Sequence, residues 1–223
     1  MLDQRLMACA DYVRAGAKMC DIGTDHGYLP CYLAREGKIQ CAIAADVNEK
    51  PLESAVRTIA EWDVTAQVTA RLSDGLAGIK EDEADDIVIA GMGGELIFRI
   101  VSECSWIRSE KKRLILQPMS QVEELRENLY RAGFEILKET PVLEGGHHYT
   151  VMCCQYSGNS LEVTPLFAIV GKVPEYGGEQ AKEYLHYQKQ RLLLRAEGLR
   201  KSKKDRSEQA GYWEDLANQI PLV

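Results

Sequence analysis

The period of the apolar positions changes repeatedly along the chain, and each change marks an element. Leu2, Leu6, Cys9 or Ala10, and Val13 fall on one face of a helix over 2–15. Lys18 to Ile22 then reads as a short buried strand ended by Gly23, and Tyr28 to Glu36 as a helix ended by Gly37. The alternation continues with strands at 41–45, 66–72, 87–90 and 113–117 and helices at 51–61, 96–104 and 122–132. Such alternation predicts a parallel sheet with crossover helices. It fails after Gly133, where Phe134 to Leu143 and His148 to Tyr156 are two strand-like runs joined by Glu-Gly-Gly-His, a hairpin signal. The predicted α/β domain is therefore five parallel strands closed by an antiparallel hairpin, over residues 1–156. Residues 157–223 form a second region. Leu185, Leu192 and Leu199 recur every seven residues, and Ala210, Trp213, Ala217 and Ile220 make a second stripe. Two stripes predict an antiparallel, coiled-coil-like helical hairpin turning between Gly198 and Ser207.

Composition adds limits. The 223 residues are 45% hydrophobic and 27% charged, ordinary for a globular protein. No run of about 18 apolar residues occurs and Met1 is followed by Leu-Asp-Gln-Arg, so the chain reads as cytoplasmic with no membrane partner. Its seven cysteines include no C-x-x-C pair, which favours buried free thiols over a metal centre. A net charge of -7 argues against a nucleic-acid partner, but its distribution argues for one. Between 182 and 206, nine basic residues face three acidic ones, a local +6 that contains Arg200, Lys201, Lys203 and Lys204. A solvated coiled-coil face is the competing reading of that stretch.

The chemistry lies at the strand ends. The first strand runs into Asp21-Ile-Gly23-Thr24-Asp25-His26-Gly27-Tyr28, a glycine turn opening a helix. It lacks the second glycine of the dinucleotide fingerprint, and Asp25 stands there instead, where it would repel a pyrophosphate. An acidic loop suits S-adenosylmethionine, which has no phosphate and carries an ammonium. Asp46, 25 residues beyond Asp21 and followed by Val47, is placed to accept ribose hydroxyls, with a helix N-cap as its alternative role. Ser73-Asp74-Gly75 ends the third strand; taken singly it reads as a common turn, and in methyltransferases an Asp at such a turn takes the adenine amino group. Gly91-Met92-Gly93-Gly94 follows the fourth strand and Gln117-Pro118-Met119 ends the fifth. Gly91 and Met92 are assigned to the cofactor, and Gly93, Gly94, Gln117 and Pro118 to the acceptor.

Five parallel strands with a terminal hairpin is the topology associated with Rossmann-like class I methyltransferases. The set Asp-Ile-Gly-Thr-Asp-His-Gly-Tyr-Leu-Pro30, Ser-Asp-Gly-Leu76, Ile-Ala-Gly-Met-Gly-Gly94 and Leu-Ile-Leu-Gln-Pro118 resembles the bacterial tRNA (adenine-22-N1)-methyltransferases of the TrmK type. Arg5-Leu6, Leu125-Arg126 and Tyr149 fit the same pattern, and Lys50 departs from it by replacing a glycine before Pro51. The resemblance spans residues 2–156 and implies S-adenosylmethionine as cofactor and tRNA as partner. Neutral adenine N1 needs no base before attack, whereas its product is a cation that a carboxylate would stabilise. Asp25, with Tyr28 beside it, is the catalytic candidate; binding the cofactor ammonium is the alternative. A catalytically silent S-adenosylmethionine-binding adaptor and an NAD-dependent oxidoreductase are the rival functions, and a monomer is the favoured state.

Overall fold

The computed structural model describes residues 2–202 and 205–222. Its centre is a seven-stranded sheet of order β3-β2-β1-β4-β5-β7-β6. Strands β1 (Lys18–Ile22), β2 (Cys41–Asp46), β3 (Val68–Leu72), β4 (Asp86–Gly93) and β5 (Arg113–Ser120) pair in parallel, whereas β7 (His147–Tyr156) runs antiparallel to β5 and to β6 (Phe134–Glu144). The predicted class is thus observed, hairpin included. Chain order reverses at β1, which pairs with β2 on one side and β4 on the other. In an open α/β sheet such a switch point leaves a crevice at the carboxyl ends of the strands.

Side chains alternate across the sheet, so one strand feeds two cores. Met19, Val88 and Ile115 pack beneath α1 (Gln4–Tyr12), α2 (Tyr28–Arg35) and α3 (Glu49–Glu61). Cys20, Ile87 and Leu114 pack on the other face against α4 (Gly94–Glu103) and α5 (Val122–Arg131). Because all these residues are fully or nearly fully buried, the strands read as continuous apolar runs. The cysteines carry no disulfide; six are buried and Cys41 is half-buried.

Two strands run well past their expected ends. Strand β4 continues through the glycines to Gly93 and β5 through Pro118 to Ser120, because Met92 pairs with Pro118 and Gly93 with Ser120 across register shifts. Bulges tolerate glycine and proline that a regular ladder would not. The region after Tyr156 also holds two unanticipated short helices, α6 (Pro165–Val170) and α7 (Val173–Tyr176). Helix α6 opens with Thr164, whose hydroxyl accepts the Phe167 amide (3.1 Å), and with Pro165 in its first turn. The helical hairpin itself is α8 (Gly178–Arg200) and α9 (Ser207–Gln219), with Leu185, Leu192, Ala210 and Ala217 buried.

A buried ion pair joins the sheet to these helices. Arg126 on α5 and Glu139 on β6 are both fully buried and meet at 2.6 Å. The guanidinium also donates to the carbonyls of Ala168 (2.6 Å) and Ile169 (2.8 Å), and the second carboxylate oxygen accepts the Lys172 amide (2.9 Å). Burial works against the charge on Arg126, and the adjacent Glu139 outweighs it, holding the guanidinium above its ordinary value. Gly171 (φ 55°) passes so close that a Cβ there would sit 1.9 Å from Glu139 Oε2. Among the described residues no helix is long and apolar enough to cross a membrane, and no group of three or more His, Cys, Asp or Glu is arranged to hold a metal.

Candidate active site

The strand ends converge on two adjoining clefts. Asp21 is 5% exposed and accepts the Thr24 hydroxyl (2.6 Å). Burial, with help from Asp46 and against the Thr24 hydrogen bond, pushes its carboxyl up to about 6. A group raised above its unfolded value of about 3.9 contributes stability below that value and loses it as pH rises through the folded one. The ligand-free chain is therefore expected to lose stability between about pH 4 and pH 6 from this residue, a decline absent in Asp21→Asn. Parallel unfolding curves of the two proteins across that window would exclude the assignment.

Asp46 organises the neighbouring turns. Its Oδ1 accepts the Asn48 amide (2.9 Å), its Oδ2 accepts the Asp25 amide (3.4 Å), and its carbonyl accepts the Ser73 amide (2.9 Å). The residue at the N-cap of α3 is Asn48. The β3 turn is built by Ser73, whose hydroxyl donates to the Gly75 carbonyl (2.8 Å) and accepts the Gly78 amide (2.9 Å). That leaves Asp74 outside, 3.4 Å from Arg99 on α4.

The first cleft, about 370 Å³, is lined by Gly23, Asp25, Asp46, Val47, Asp74, Gly75, Gly91 and Met92, together with Leu96 and Arg99. Gly23 is favoured by its left-handed conformation (φ 73°), and the Met92 methyl lies over its Cα, 2.1 Å from where a Cβ would stand. The second cleft, about 360 Å³, shares Gly23, Asp25, Ala90 and Gly91 and adds Arg5, Asp21, Thr24, His26, Tyr28 and Gln117. Asp25 stands at the junction in a left-handed conformation (φ 52°). His26 Nε2 lies 3.5 Å from its carboxylate and stacks on half-exposed Tyr28, with centroids 5.2 Å apart.

Gln117 is fully buried and connects the two clefts. Its Oε1 accepts the Gly91 amide (3.0 Å) and an Arg5 N–H (3.3 Å), while its Nε2 donates to the Pro118 carbonyl (3.0 Å). Arg5 is further held by Asp3 (2.6 Å) and lies 5.5 Å from the Tyr149 ring centroid. Sequence reading did not single out Arg5 or Arg99 as site residues, because their partners are 112 and 25 positions away.

Other candidates lie elsewhere. Gly27 lines neither cleft; a Cβ on it would meet Ala55 at 3.2 Å. Gly93, Gly94 and Pro118 line neither cleft, and Gly94 is pressed against the Gln121 backbone. Arg200 and Lys201, at the far end of α8, are paired with Glu214 (2.6 Å) and Glu197 (2.6 Å). Lys203 and Lys204 lie outside the described residues.

Residues 2–152, the part of the chain that carries both clefts, match a family model described as a methyltransferase domain. The chain belongs to this methyltransferase-domain family. It is 40% identical over 154 residues to the tRNA (adenine(22)-N(1))-methyltransferase of Bacillus subtilis, an alignment covering 69% of this chain and 65% of that protein. The crystal structure of that species' M1A22 tRNA methyltransferase TrmK superposes with a TM-score of 0.83 at 28% identity, covering 100% of this chain and 99% of the other. A Streptococcus pneumoniae structure in complex with S-adenosyl-L-methionine matches at 0.85 and 29% identity, each chain fully covered. The likeness thus extends through the helical region, beyond the family model.

Proposed function

We propose that this methyltransferase-domain chain transfers a methyl group from S-adenosylmethionine to N1 of an adenine in tRNA, at position 22. The observation that carries the reading is the pair of clefts meeting at Gly23, Asp25 and Gly91, one ringed by strand-end acids and the other open beside it. Relatives that act on tRNA adenine-22 and a full-length structural match that binds S-adenosylmethionine support it.

The residues of the first cleft fit that cofactor. Each Asp46 oxygen accepts one backbone amide and keeps a lone pair, enough for two ribose hydroxyls. The Asp74 carboxylate, 64% exposed, offers an acceptor for the adenine amino group. Around a Cβ built at Gly91 there is open space, so its backbone is accessible to a flat or cationic group. Asp25, which lines this cleft, and Asp21, which lines the adjoining one, give the loop the negative charge that an ammonium requires. When bound, the cofactor supplies an electrophilic methyl on a sulfonium.

The second cleft would hold the acceptor base. Adenine N1 has an in-plane lone pair, so orientation and exclusion of water do most of the work. Tyr28 and Arg5 are the walls against which a flipped base would lie. Gln117, its amide already committed, acts as a positioning residue that fixes Gly91 and Arg5 together. Asp25 would face the positive charge that develops on the ring.

Incubation with labelled S-adenosylmethionine and unmodified tRNA, then nucleoside analysis and primer extension, tests the activity. The expected product is 1-methyladenosine, with reverse transcription stopping at adenine 22; a silent adaptor would bind and transfer nothing. In Asp46→Ala, calorimetry should show cofactor affinity weakened by about 1 to 3 kcal/mol. Unchanged affinity would remove Asp46 from the cofactor site.

Residues 157–223 are proposed as a separate tRNA-binding domain. An acidic catalytic domain needs a counter-charge for a polyanion, and the stretch from Lys182 to Arg206 supplies it. Replacing Arg200, Lys201, Lys203 and Lys204 together by Gln should make the slope of log affinity against log salt shallower by about one to three units. A parent-like salt series would point the basic stretch away from RNA.

A further inference from the structure

We propose that the groove between α5 and the helical hairpin is a second nucleotide site, holding one unstacked nucleobase of the same RNA whose adenine enters the second cleft. The base is one that presents adjacent imino and amino N–H donors, as guanine does at N1 and N2. This rests on the reading of the chain as a tRNA-modifying enzyme.

The groove has a volume of about 420 Å³ and three kinds of wall. Its floor is apolar, formed by Ala168, Ile169, Leu192 and Leu216. One side is a flat plate in which the Arg195 guanidinium lies 3.9 Å from the Trp213 ring centroid. Tyr212, half-exposed, stands edge-on to Trp213 at 5.1 Å. Aromatic and guanidinium planes are the surfaces on which unpaired bases stack.

The opposite side carries the hydrogen-bonding groups. Glu123 is ion-paired with Arg191, whereas Glu124 and Glu127 have no ion-pair or hydrogen-bond partner for their carboxylates among the described residues. Arg191 Nε is buried with no acceptor. Free carboxylates accept from amino and imino groups, and the pair matches a base edge that bears both. A phosphate fits poorly, because the three carboxylates of the groove outnumber its two guanidinium groups.

Location supports one RNA serving both places. Gln117 lines the acceptor cleft and Gln121 lines the groove. Four residues of chain separate their Cα atoms by at most about 13 Å. Roughly four stacked nucleotides, at about 3.4 Å each, cover that distance.

The test uses the full chain, a fluorescently labelled unmodified tRNA transcript, and the variants Trp213→Ala, Trp213→Phe and Glu124→Gln with Glu127→Gln. Anisotropy gives tRNA affinity, steady-state methylation gives KM and kcat, and calorimetry gives S-adenosylmethionine affinity. In Trp213→Ala, tRNA Kd and KM should rise by about 5- to 100-fold, the range for losing one stacked base, with kcat and cofactor affinity unchanged. Trp213→Phe should recover most of the loss. The double Gln variant carries the sharper sign. If the carboxylates read base donors, tRNA binding weakens several-fold although two negative charges are gone; if they only face solvent, binding tightens. Tightened or unchanged tRNA binding in the double variant, or parent-like tRNA binding in Trp213→Ala, overturns the site. Where Trp213→Ala fails to fold, the double variant on the α5 surface decides alone. A parent that binds tRNA with these dependences yet methylates none removes the proposed activity and leaves the groove standing.

Discussion

Arg126→Ala is expected to lower stability by about 3 to 5 kcal/mol, the cost of leaving a buried charge without its partner. Glu139 would keep only the Lys172 amide, and the Ala168 and Ile169 carbonyls would lose their donor. For a chain of this size each kcal/mol moves the melting temperature by about 2 to 4 °C, so denaturation should fall by roughly 6 to 20 °C. The pair must be judged against its apolar replacement as well. Arg126→Met with Glu139→Leu removes both charges and keeps volume, so the double variant should be more stable than Arg126→Ala. Equal losses in the single and double variants would mean that packing, and not charge, is what Arg126 supplies. Since the guanidinium reaches α6 from α5, the damage should appear first in how the helical region docks, and limited proteolysis near residues 157–164 reads that directly.

The strand-end acids were legible because parallel strands carry their carboxyl ends to one edge. Once 18–22, 41–45 and 66–72 are read as consecutive parallel strands, Asp21, Asp46 and Asp74 must approach one another whatever the loops do. The hairpin was legible from two apolar runs around Gly145-Gly146. Arg5 and Arg99 were not, because a basic residue on an amphipathic helix gives no sign of which distant group it meets. Glycine and proline hid the extension of β4 and β5, where pairing across bulges overrides local preference. Helices α6 and α7, six and four residues long, are too short to show a period. The basic stretch teaches a different lesson. Its count of +6 came from contiguous sequence, but Arg200 is paired with Glu214 from α9, beyond the counted window. Charge available to a partner depends on what the fold lays beside each residue.

Asp25→Asn should keep the fold and lower single-turnover methyl transfer by about 10² or more, the scale for removing one preorganised electrostatic contact in a transition state. Asparagine tolerates the left-handed conformation that Asp25 adopts at φ 52°, and its backbone amide can still donate to Asp46 Oδ2. The substitution therefore isolates the charge. A non-glycine residue held in this conformation where two clefts meet is a cost that the surrounding structure sustains, as happens at functional sites. The side chain is 68% exposed and its neighbour is His26, so no buried network depends on it. Attack by adenine N1 turns a neutral ring into a cation, and a carboxylate beside it is worth more in the transition state than in the ground state. That difference predicts a fall in the transfer rate with little change in S-adenosylmethionine affinity. The opposite split is just as informative. If affinity collapses while the rate at saturating cofactor stays normal, Asp25 binds the cofactor ammonium, and the stabilisation of the product cation must come from elsewhere in the second cleft.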